Sequence, residues 1–281
     1  LYWLTPAPVS RSNFRLQYTI SPRAMNEDGP IRLSAVVITL NAARTLDACL
    51  SSVAFADEIV VVDCGSVDET VIIARRHNAK VLTEAWRGFG AQKNFAVGQA
   101  SHDWVFCIDA DEYVSEELRD SVKSELKAPR HCVYAMARRN RFLGRWLRHG
   151  EGYPDWNTRF FDRRHARWSD DIVHEHVVIE VEAGRLVGDL MHESQDTLTS
   201  YLEKQNRYTT LQAERLYAAG YRAHLGHLLF SPLFRFMRMT FFRLGFLDGV
   251  PGIVHIGIGC MNSFAKYAKL LERQLRGRSE A

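Results

Sequence analysis

The sequence has few cysteines, and no two of them have the spacing of a structural zinc site. The cysteines are the residues at positions 49, 64, 107, 132 and 260, without any C-x-x-C pair. An odd number of scattered cysteines argues against a disulfide framework. It is typical of a protein from a reducing cytoplasm.

The sequence also lacks a large excess of charge of one sign. Its 36 basic and 33 acidic side chains give a formal net charge of +3 over 281 residues. A net charge this small argues against a general nucleic-acid-binding protein, and we expect no nucleic-acid partner. With 46% hydrophobic and 25% charged residues, the composition suits one large domain or one domain with an appendage.

The first residues lack the layout of a signal peptide. The C-terminal region lacks an uninterrupted apolar run of about twenty residues. The first strand-like run begins only after residues 25–30. We therefore expect Met25 to be the natural start and residues 1–30 to be a leader or artificial arm without ordered structure. A genuine N-terminal arm is the alternative.

Strand and helix patterns alternate along residues 31–140. Continuous apolar runs, typical of buried parallel strands, occur at residues 34–40, 58–62 and 104–108. Helical patterns occur at residues 44–53, 68–77, 89–100 and 115–126. This order predicts an α/β fold with an open, mostly parallel sheet covered by helices. We place the catalytic domain at residues 31–195 and a helical C-terminal region at residues 196–281.

Acidic side chains follow two of the predicted strands, at the edge where open parallel sheets bind ligands. Asp109 and Asp111 can hold a hard divalent cation that bridges the phosphates of a nucleotide diphosphate. Asp63 can accept a hydrogen bond from a base or ribose, and Gly65 permits a tight turn close to a ligand. Solvated turns at both places are the structural alternative.

Four motifs in this order resemble those of family 2 glycosyltransferases with the GT-A fold. They are Val36-Val37-Ile38-Thr39-Leu40-Asn41, Asp63-Cys64-Gly65-Ser66-x-Asp68-x-Thr70, Gly88-Phe89-Gly90-x-Gln92-Lys93-Asn94 and Ile108-Asp109-Ala110-Asp111-Glu112. The resemblance spans roughly residues 32–275. It implies a GT-A (Rossmann-like) fold and an inverting hexosyltransferase that uses a UDP-sugar and Mg²⁺ or Mn²⁺.

Two further stretches resemble the lipopolysaccharide core β-1,4-glucosyltransferases of Gram-negative bacteria. One comprises Gly152-Tyr153-Pro154-Asp155, Arg159-Phe160-Phe161-Asp162-Arg163, Trp168 and Val173-His174-Glu175, and the other His192 and Tyr201-x-x-Lys204-x-x-x-Tyr208. This narrower resemblance implies glucose as the sugar. It also implies a lipopolysaccharide inner-core or similar glycolipid or oligosaccharide acceptor.

The implied transfer needs a general base near the acceptor hydroxyl. Glu175 is our first candidate, because a His-Glu pair in a loop beyond the acidic cluster suits an acceptor site. Asp155 is the second. A salt bridge to an arginine is the alternative role for Glu175, and a turn position is the alternative for Asp155.

Further residues are assigned to the donor and the metal. Lys93 and Arg159 are candidates for contact with phosphate. His174 and His192 are candidates for completing the metal shell, although a lone histidine is more often structural. The predicted donor-binding residues are Thr39, Asn41, Asp63, Gly65, Lys93, Asp109, Asp111 and Arg159, and the predicted metal ligands are Asp111, Asp109, His192 and His174.

Aromatic and basic residues are frequent in residues 224–275. A helix starting near Asn262 would carry Phe264, Tyr267, Leu270, Leu271 and Leu275 on one side and Lys266, Lys269, Arg273 and Arg276 on the other. Such a helix suits anionic lipid, and we expect peripheral contact with the inner face of the bacterial inner membrane. Packing on the catalytic domain, or on a second subunit in a homo-oligomer, is the alternative.

Three other functions stay open at this point. A sugar nucleotidyltransferase also holds a metal with acids after strands, but residues 40–45 contain no glycine where such enzymes usually have a glycine-rich loop. A membrane-bound scaffold could keep the fold without catalysis. A transferase of the same family directed at exopolysaccharide would share most of these motifs.

Overall fold

Four apolar runs form the parallel half of the sheet in the computed structural model, which describes residues 30–170, 175–193 and 197–279. The strands are β1 (Leu33–Thr39), β2 (Glu58–Asp63), β3 (Lys80–Thr83) and β4 (Trp104–Asp109). They lie in the order β3-β2-β1-β4 and are all parallel. Thr39 is level with Asp63, and Ile38 with Asp109, so the carboxyl ends meet at one edge of the sheet.

Helices cover both faces of this half. They are α1 (Ala43–Ser52), α2 (Thr70–Arg76), α3 (Phe89–Gly98) and α4 (Glu116–Lys127). Successive side chains of a strand point to opposite faces, so Val37 packs in a cluster with Leu46 of α1, and Val36 in a second cluster with Ala96 of α3. Burial on both faces explains why the sequences of these strands are nearly continuous apolar runs.

The other half of the sheet is mixed. Its strands are β5 (Glu112–Val114), β6 (Val133–Phe142), β7 (Arg145–Trp146), β8 (Asp155–Asp162) and β11 (Gly184–His192), while β9 (Ala166–Trp168) and β10 (Val177–Ile179) form a separate pair. The order continues as β4-β8-β6-β11-β5, and β6 runs parallel to β11. Strand β6 is not predicted from the sequence. Only its first residues are apolar, and Arg138 and Arg139 interrupt the apolar pattern in its middle.

The C-terminal region is helical. It contains α5 (Leu198–Ala218), α6 (Leu225–Met237), a π turn (Arg238–Phe242), a 3-10 turn (Gly245–Asp248) and α7 (Gly249–Ser279). The prediction that the last helix starts near Asn262 is wrong, since α7 starts at Gly249. Pro251 is tolerated there because first-turn N–H groups have no acceptor within the helix.

The face of α7 that we expected to meet lipid packs largely against α5 instead. Leu270 is buried with Ala213, and Tyr267 packs against the same cluster. Lys269 Nζ donates to the carbonyl oxygen of Asn206 at 2.7 Å and to Thr209 Oγ1 at 2.8 Å. Most of this face therefore packs on α5 of the C-terminal region and not on the catalytic domain, while Phe264 and Leu275 remain exposed. Contact of the protein with a membrane stays a prediction.

The predicted α/β architecture, a mostly parallel GT-A (Rossmann-like) sheet flanked by helices with a helical C-terminal extension, is confirmed. Residues 1–29 lie outside the described residues, so the predicted arm stays a prediction, as does the boundary after residue 195. Within the described residues no single helix is long and apolar enough to cross a membrane. Leu225–Phe242 and Gly245–Arg276 meet that criterion together, as a pair bent by 73°.

Candidate active site

A chain of alternating acidic and basic side chains runs across the carboxyl edge of the sheet. Lys93, near the start of α3, and Arg159, on β8, both contact Asp109 at the end of β4. The N···O distances along the chain are 3.3 Å for Glu175–Lys93, 2.9 Å for Lys93–Asp109, 2.7 Å for Asp109–Arg159, 3.1 Å for Arg159–Glu112, 3.4 Å for Glu112–Arg138 and 2.7 Å for Arg138–Asp155. The two candidate bases therefore occupy opposite ends of one ion-pair network.

The centre of this network is buried, with Arg159 4% and Glu112 1% exposed. Burial by itself would raise the pKa of Asp109, but the positive charges of Arg159 and then Lys93 hold that pKa well below its usual range. Burial by itself would lower the pKa of Arg159, but the negative charges of Asp109 and Glu112 outweigh burial and hold that pKa above its usual value. Asp109 is therefore an anion whose oxygens face two cations, which leaves Asp111 as the more available carboxylate of the pair.

Trp168 lies against both cations of the donor side. The centroid of its ring is 4.4 Å from Lys93 Nζ and 5.2 Å from Arg159 Cζ, distances at which cations are attracted to an aromatic face. Asn94 holds the backbone of Trp168 by donating to its carbonyl oxygen at 3.0 Å and accepting from its N–H at 2.9 Å. The Lys93-Asn94 dipeptide thus supplies both a cation and the contact that places the ring beside it.

Asp111 and His192 form the part of the edge that suits a divalent cation. His192 Nε2 is 3.3 Å from Asp111 Oδ2, and His192 Nδ1 is 2.7 Å from Asn140 Oδ1. Because the amide oxygen of Asn140 accepts, Nδ1 of a neutral imidazole carries the hydrogen and the Nε2 lone pair points toward Asp111. The Asp111 carboxylate suits Mn²⁺ or Mg²⁺, with diphosphate oxygens and water as further ligands, and a neutral imidazole is a common metal ligand.

Two other predicted ligands contribute less to such a shell. Asp109 is held by Lys93 and Arg159, as described above. His174 lies outside the described residues. The described residues contain no group of three or more His, Cys, Asp or Glu side chains that could by itself hold a metal ion. Of the predicted ligands that the structure describes, Asp111 and His192 remain the pair that could hold a metal, and their role as ligands stays a prediction.

Asp63 organises the loops that follow β1 and β2. Its Oδ2 accepts from the N–H groups of Gly65 at 2.9 Å and Ser66 at 2.8 Å, and its Oδ1 accepts from Thr39 Oγ1 at 3.1 Å. Asn41, with a positive φ of 49°, accepts from the Val67 N–H at 2.9 Å. These contacts give Asp63, Thr39 and Asn41 a structural role at the rim, and their contact with a donor stays a prediction.

Gly90 brings α3 close to the segment after β9. A Cβ atom at Gly90 would lie 2.0 Å from the carbonyl oxygen of Ser169 and 3.7 Å from Cβ of Glu175. A backbone oxygen cannot move aside cheaply, so a side chain at this position would push the helix away from Trp168 and Glu175. The second glycine of the Gly88-Phe89-Gly90 motif is therefore required by close packing.

We expect Gly90→Ala to lower the free energy of unfolding by about 1–3 kcal/mol, because the added methyl group overpacks this contact. Gly98→Ala is the matched control, since it lies in the same helix and its Cβ would meet nothing within 4 Å. That control should be neutral or stabilising by up to about 1 kcal/mol. Urea unfolding measures both values, and equal values for the two variants would contradict the packing role.

The structure brings the predicted side chains Glu175, Lys93, Asp109, Arg159 and Asp155 into one network, and it places Asp111 beside His192. The sequence analysis quoted Glu112 and Trp168 only as parts of motifs, and it singled out neither Arg138 nor Asn140. Arg138 and Asn140 are two residues apart on β6, so they share one face of the strand. Polar residues two positions apart that follow an apolar run can indicate a strand whose end faces a functional site.

Comparison with known proteins identifies the family of this chain. Residues 34–179 match the family model described as glycosyl transferase family 2. The lipopolysaccharide core biosynthesis glycosyltransferase LpsC of Rhizobium meliloti (strain 1021) is 32% identical over 249 residues, which cover 86% of this chain and 92% of that protein. An uncharacterized glycosyltransferase of Rickettsia bellii is 29% identical over 266 residues, 87% of this chain and 88% of that protein.

Solved structures show a more distant likeness. The crystal structure of S. aureus TarS 1–349 in complex with UDP has a TM-score of 0.42 at 14% identity and covers 88% of this chain and 92% of that chain. The chain belongs to glycosyltransferase family 2 and is related to an enzyme of lipopolysaccharide core biosynthesis. This membership sets aside the nucleotidyltransferase alternative.

Proposed function

We propose that this transferase moves glucose from UDP-glucose to an inner-core sugar of lipopolysaccharide, with inversion at the anomeric carbon. The relationship to LpsC supports an acceptor of the lipopolysaccharide core class. The observation that carries the donor side is the Asp111–His192 pair beside the Lys93–Asp109–Arg159 network. Such an edge suits a nucleotide diphosphate bound with a divalent cation.

In the proposed reaction, the acceptor oxygen bonds to the anomeric carbon while the bond from that carbon to the diphosphate breaks. The proton of the acceptor hydroxyl passes to Glu175, whose Oε1 lies 3.3 Å from Lys93 Nζ. Asp155 is the weaker candidate, because Arg138 donates to its Oδ2 from Nε at 2.9 Å and from a terminal nitrogen at 2.7 Å. A carboxylate oxygen that accepts two hydrogen bonds from one guanidinium is less available to an acceptor hydroxyl.

The donor side requires groups that tolerate negative charge on the departing diphosphate. Asp111 and His192 would hold Mg²⁺ or Mn²⁺, which neutralises that charge when bound. Arg159 and Lys93 keep Asp109 ionised and in place next to Asp111. Their positive charges also favour an anionic group at this edge of the sheet.

The proposed acceptor is anchored in lipid, so we propose that the enzyme works in the cytoplasm, on the inner face of the bacterial inner membrane. The C-terminal region supports this location, because exposed apolar side chains such as Phe242 lie next to the exposed Arg243. Assembly as a homo-oligomer stays a prediction.

A direct assay tests the proposed function. Purified protein is incubated with radiolabelled UDP-glucose, UDP-galactose or UDP-N-acetylglucosamine, a purified core acceptor and Mn²⁺ or Mg²⁺. We expect label to pass from UDP-glucose to the acceptor and the transfer to stop when EDTA removes the metal. Lack of transfer from all three donors, by protein shown to be folded by circular dichroism, would rule the proposal out.

Asp111→Asn is expected to weaken Mn²⁺-dependent binding of UDP by about 10- to 100-fold, because a neutral amide is a poorer ligand than a carboxylate. Isothermal titration calorimetry with UDP and Mn²⁺ measures the change. Asp120→Asn is the control, since Asp120 is 69% exposed and paired with Arg119 on the surface. UDP affinity equal to that of the parent in the Asp111 variant would remove Asp111 from the metal site.

A further inference from the structure

An exposed apolar surface covers α6 and the two turns that follow it. Phe230 is 66% exposed, Phe242 82% and Val250 71%, and no side chain of α6 is buried. Contiguous apolar surface of this kind is rare on monomeric proteins and marks a contact with a partner or a membrane. We call residues 225–250 the apolar hairpin surface.

The charges of this segment favour anionic lipid over a second copy of the chain. Residues 225–265 contain four charged side chains, namely Arg235, Arg238, Arg243 and Asp248. The single acid is 2% exposed and accepts hydrogen bonds within the protein, and Arg235 is paired with Glu151. The charge that this segment displays to solvent is therefore that of Arg243 and, in part, Arg238. A symmetric dimer through this surface would bring like charges together, whereas phospholipid headgroups complement them.

The apolar hairpin surface is joined to the loop that leads into β8. Asp248 Oδ2 accepts from the N–H groups of Arg148 at 3.0 Å and His149 at 2.8 Å. Arg235 pairs with Glu151 in the same loop. Asp155, at the end of the ion-pair network opposite Glu175, follows four residues after Glu151.

We propose that the apolar hairpin surface inserts into the interfacial layer of an anionic bilayer. Exposed phenylalanine and leucine side chains enter the acyl boundary, and Arg243 meets lipid phosphate. The surface differs from the α7 face that the sequence pattern indicates, because that face packs on α5. On the proposed function, this contact places the loop before Asp155 next to the layer that holds the acceptor.

Co-sedimentation of the full chain with vesicles tests this surface without donor or acceptor, so its outcome is independent of the transfer reaction. Vesicles of phosphatidylcholine with phosphatidylglycerol are compared with vesicles of phosphatidylcholine alone. We expect binding to the anionic vesicles, weakened at least about tenfold by Phe242→Glu or Leu225→Glu. Val187→Glu is the control, since Val187 is 72% exposed and lies on β11, and it should bind like the parent.

Arg243→Gln should lower the affinity for the anionic vesicles by about fivefold and leave the weaker binding to phosphatidylcholine unchanged. Circular dichroism and thermal midpoints show that each variant is folded. Anionic-vesicle binding that is absent in the parent, or unchanged in both the Phe242 and Leu225 variants, would overturn the proposal. So would a concentration-dependent dimer in sedimentation velocity that Phe242→Glu abolishes, because that result would identify a second copy as the occupant.

Discussion

Replacing Glu175 by glutamine is expected to lower kcat by about 10²- to 10⁴-fold, the range that a positioned general base contributes. Glutamine has nearly the same shape, and its amide oxygen can still accept from Lys93 Nζ, which lies 3.3 Å from Glu175 Oε1. It cannot take the proton of the acceptor hydroxyl at useful pH. The KM for the donor should change little, because the substitution leaves Asp111 and His192 intact.

Two variants make this result specific. Asp155→Asn should lower kcat less than Glu175→Gln does. The Asp155 carboxylate already accepts two hydrogen bonds from Arg138 and is therefore less available to the acceptor hydroxyl. Glu182→Gln, at an exposed position, should keep the kcat of the parent. Steady-state transfer assays with saturating acceptor give the values. A larger loss of kcat in Asp155→Asn than in Glu175→Gln would make Asp155 the general base. A kcat equal to that of the parent in both variants would exclude both carboxylates as the base.

Arg159→Met is expected to reduce the free energy of unfolding by about 3–5 kcal/mol, the usual cost of removing one partner of a buried ion pair. Arg159 is 4% exposed and contacts Asp109 at 2.7 Å and Glu112 at 3.1 Å. The methionine fills a similar volume but leaves Glu112, at 1% exposure, with less positive charge around it. Urea unfolding at neutral pH measures the loss.

The same variant should change how stability depends on pH. The pKa of Asp109 is lowered in the folded protein, so its contribution is present above the unfolded value, about 3.9 for aspartate, and is lost as pH falls through the folded pKa. Without Arg159 that pKa moves up toward the unfolded value. We therefore expect the acid-side slope of unfolding free energy against pH to become shallower in Arg159→Met.

A surface pair provides the control for this prediction. Arg119→Met removes an arginine that is 39% exposed and contacts Asp120 at 3.2 Å. Such exposed pairs contribute at most about 1 kcal/mol, and we expect no change in the acid-side slope. Equal losses in the two arginine variants would show that the buried network around Asp109 does not stabilise the fold as its geometry indicates.

The strands and the acidic edge were predictable because they depend on short-range patterns. Continuous apolar runs are typical of strands buried on both faces, and parallel strands bring their carboxyl ends to one edge. Asp63, Asp109 and Asp111 follow such runs directly, so their place at the edge needs no knowledge of distant residues. The β1–β4 register, with Ile38 level with Asp109, agrees with that expectation.

Sequence alone therefore determined the fold class, the family resemblance and the acids at the donor edge. Only the tertiary structure decided which partners those acids have, because the partners come from remote parts of the chain. Arg159 reaches Asp109 across 50 residues, and Glu175 reaches Lys93 across 82. The same holds for α7, whose amphipathic pattern is equally suited to lipid or protein. The burial of Leu270 against α5 shows that this part of the α7 face packs within the protein, while the apolar side chains of α6 are exposed.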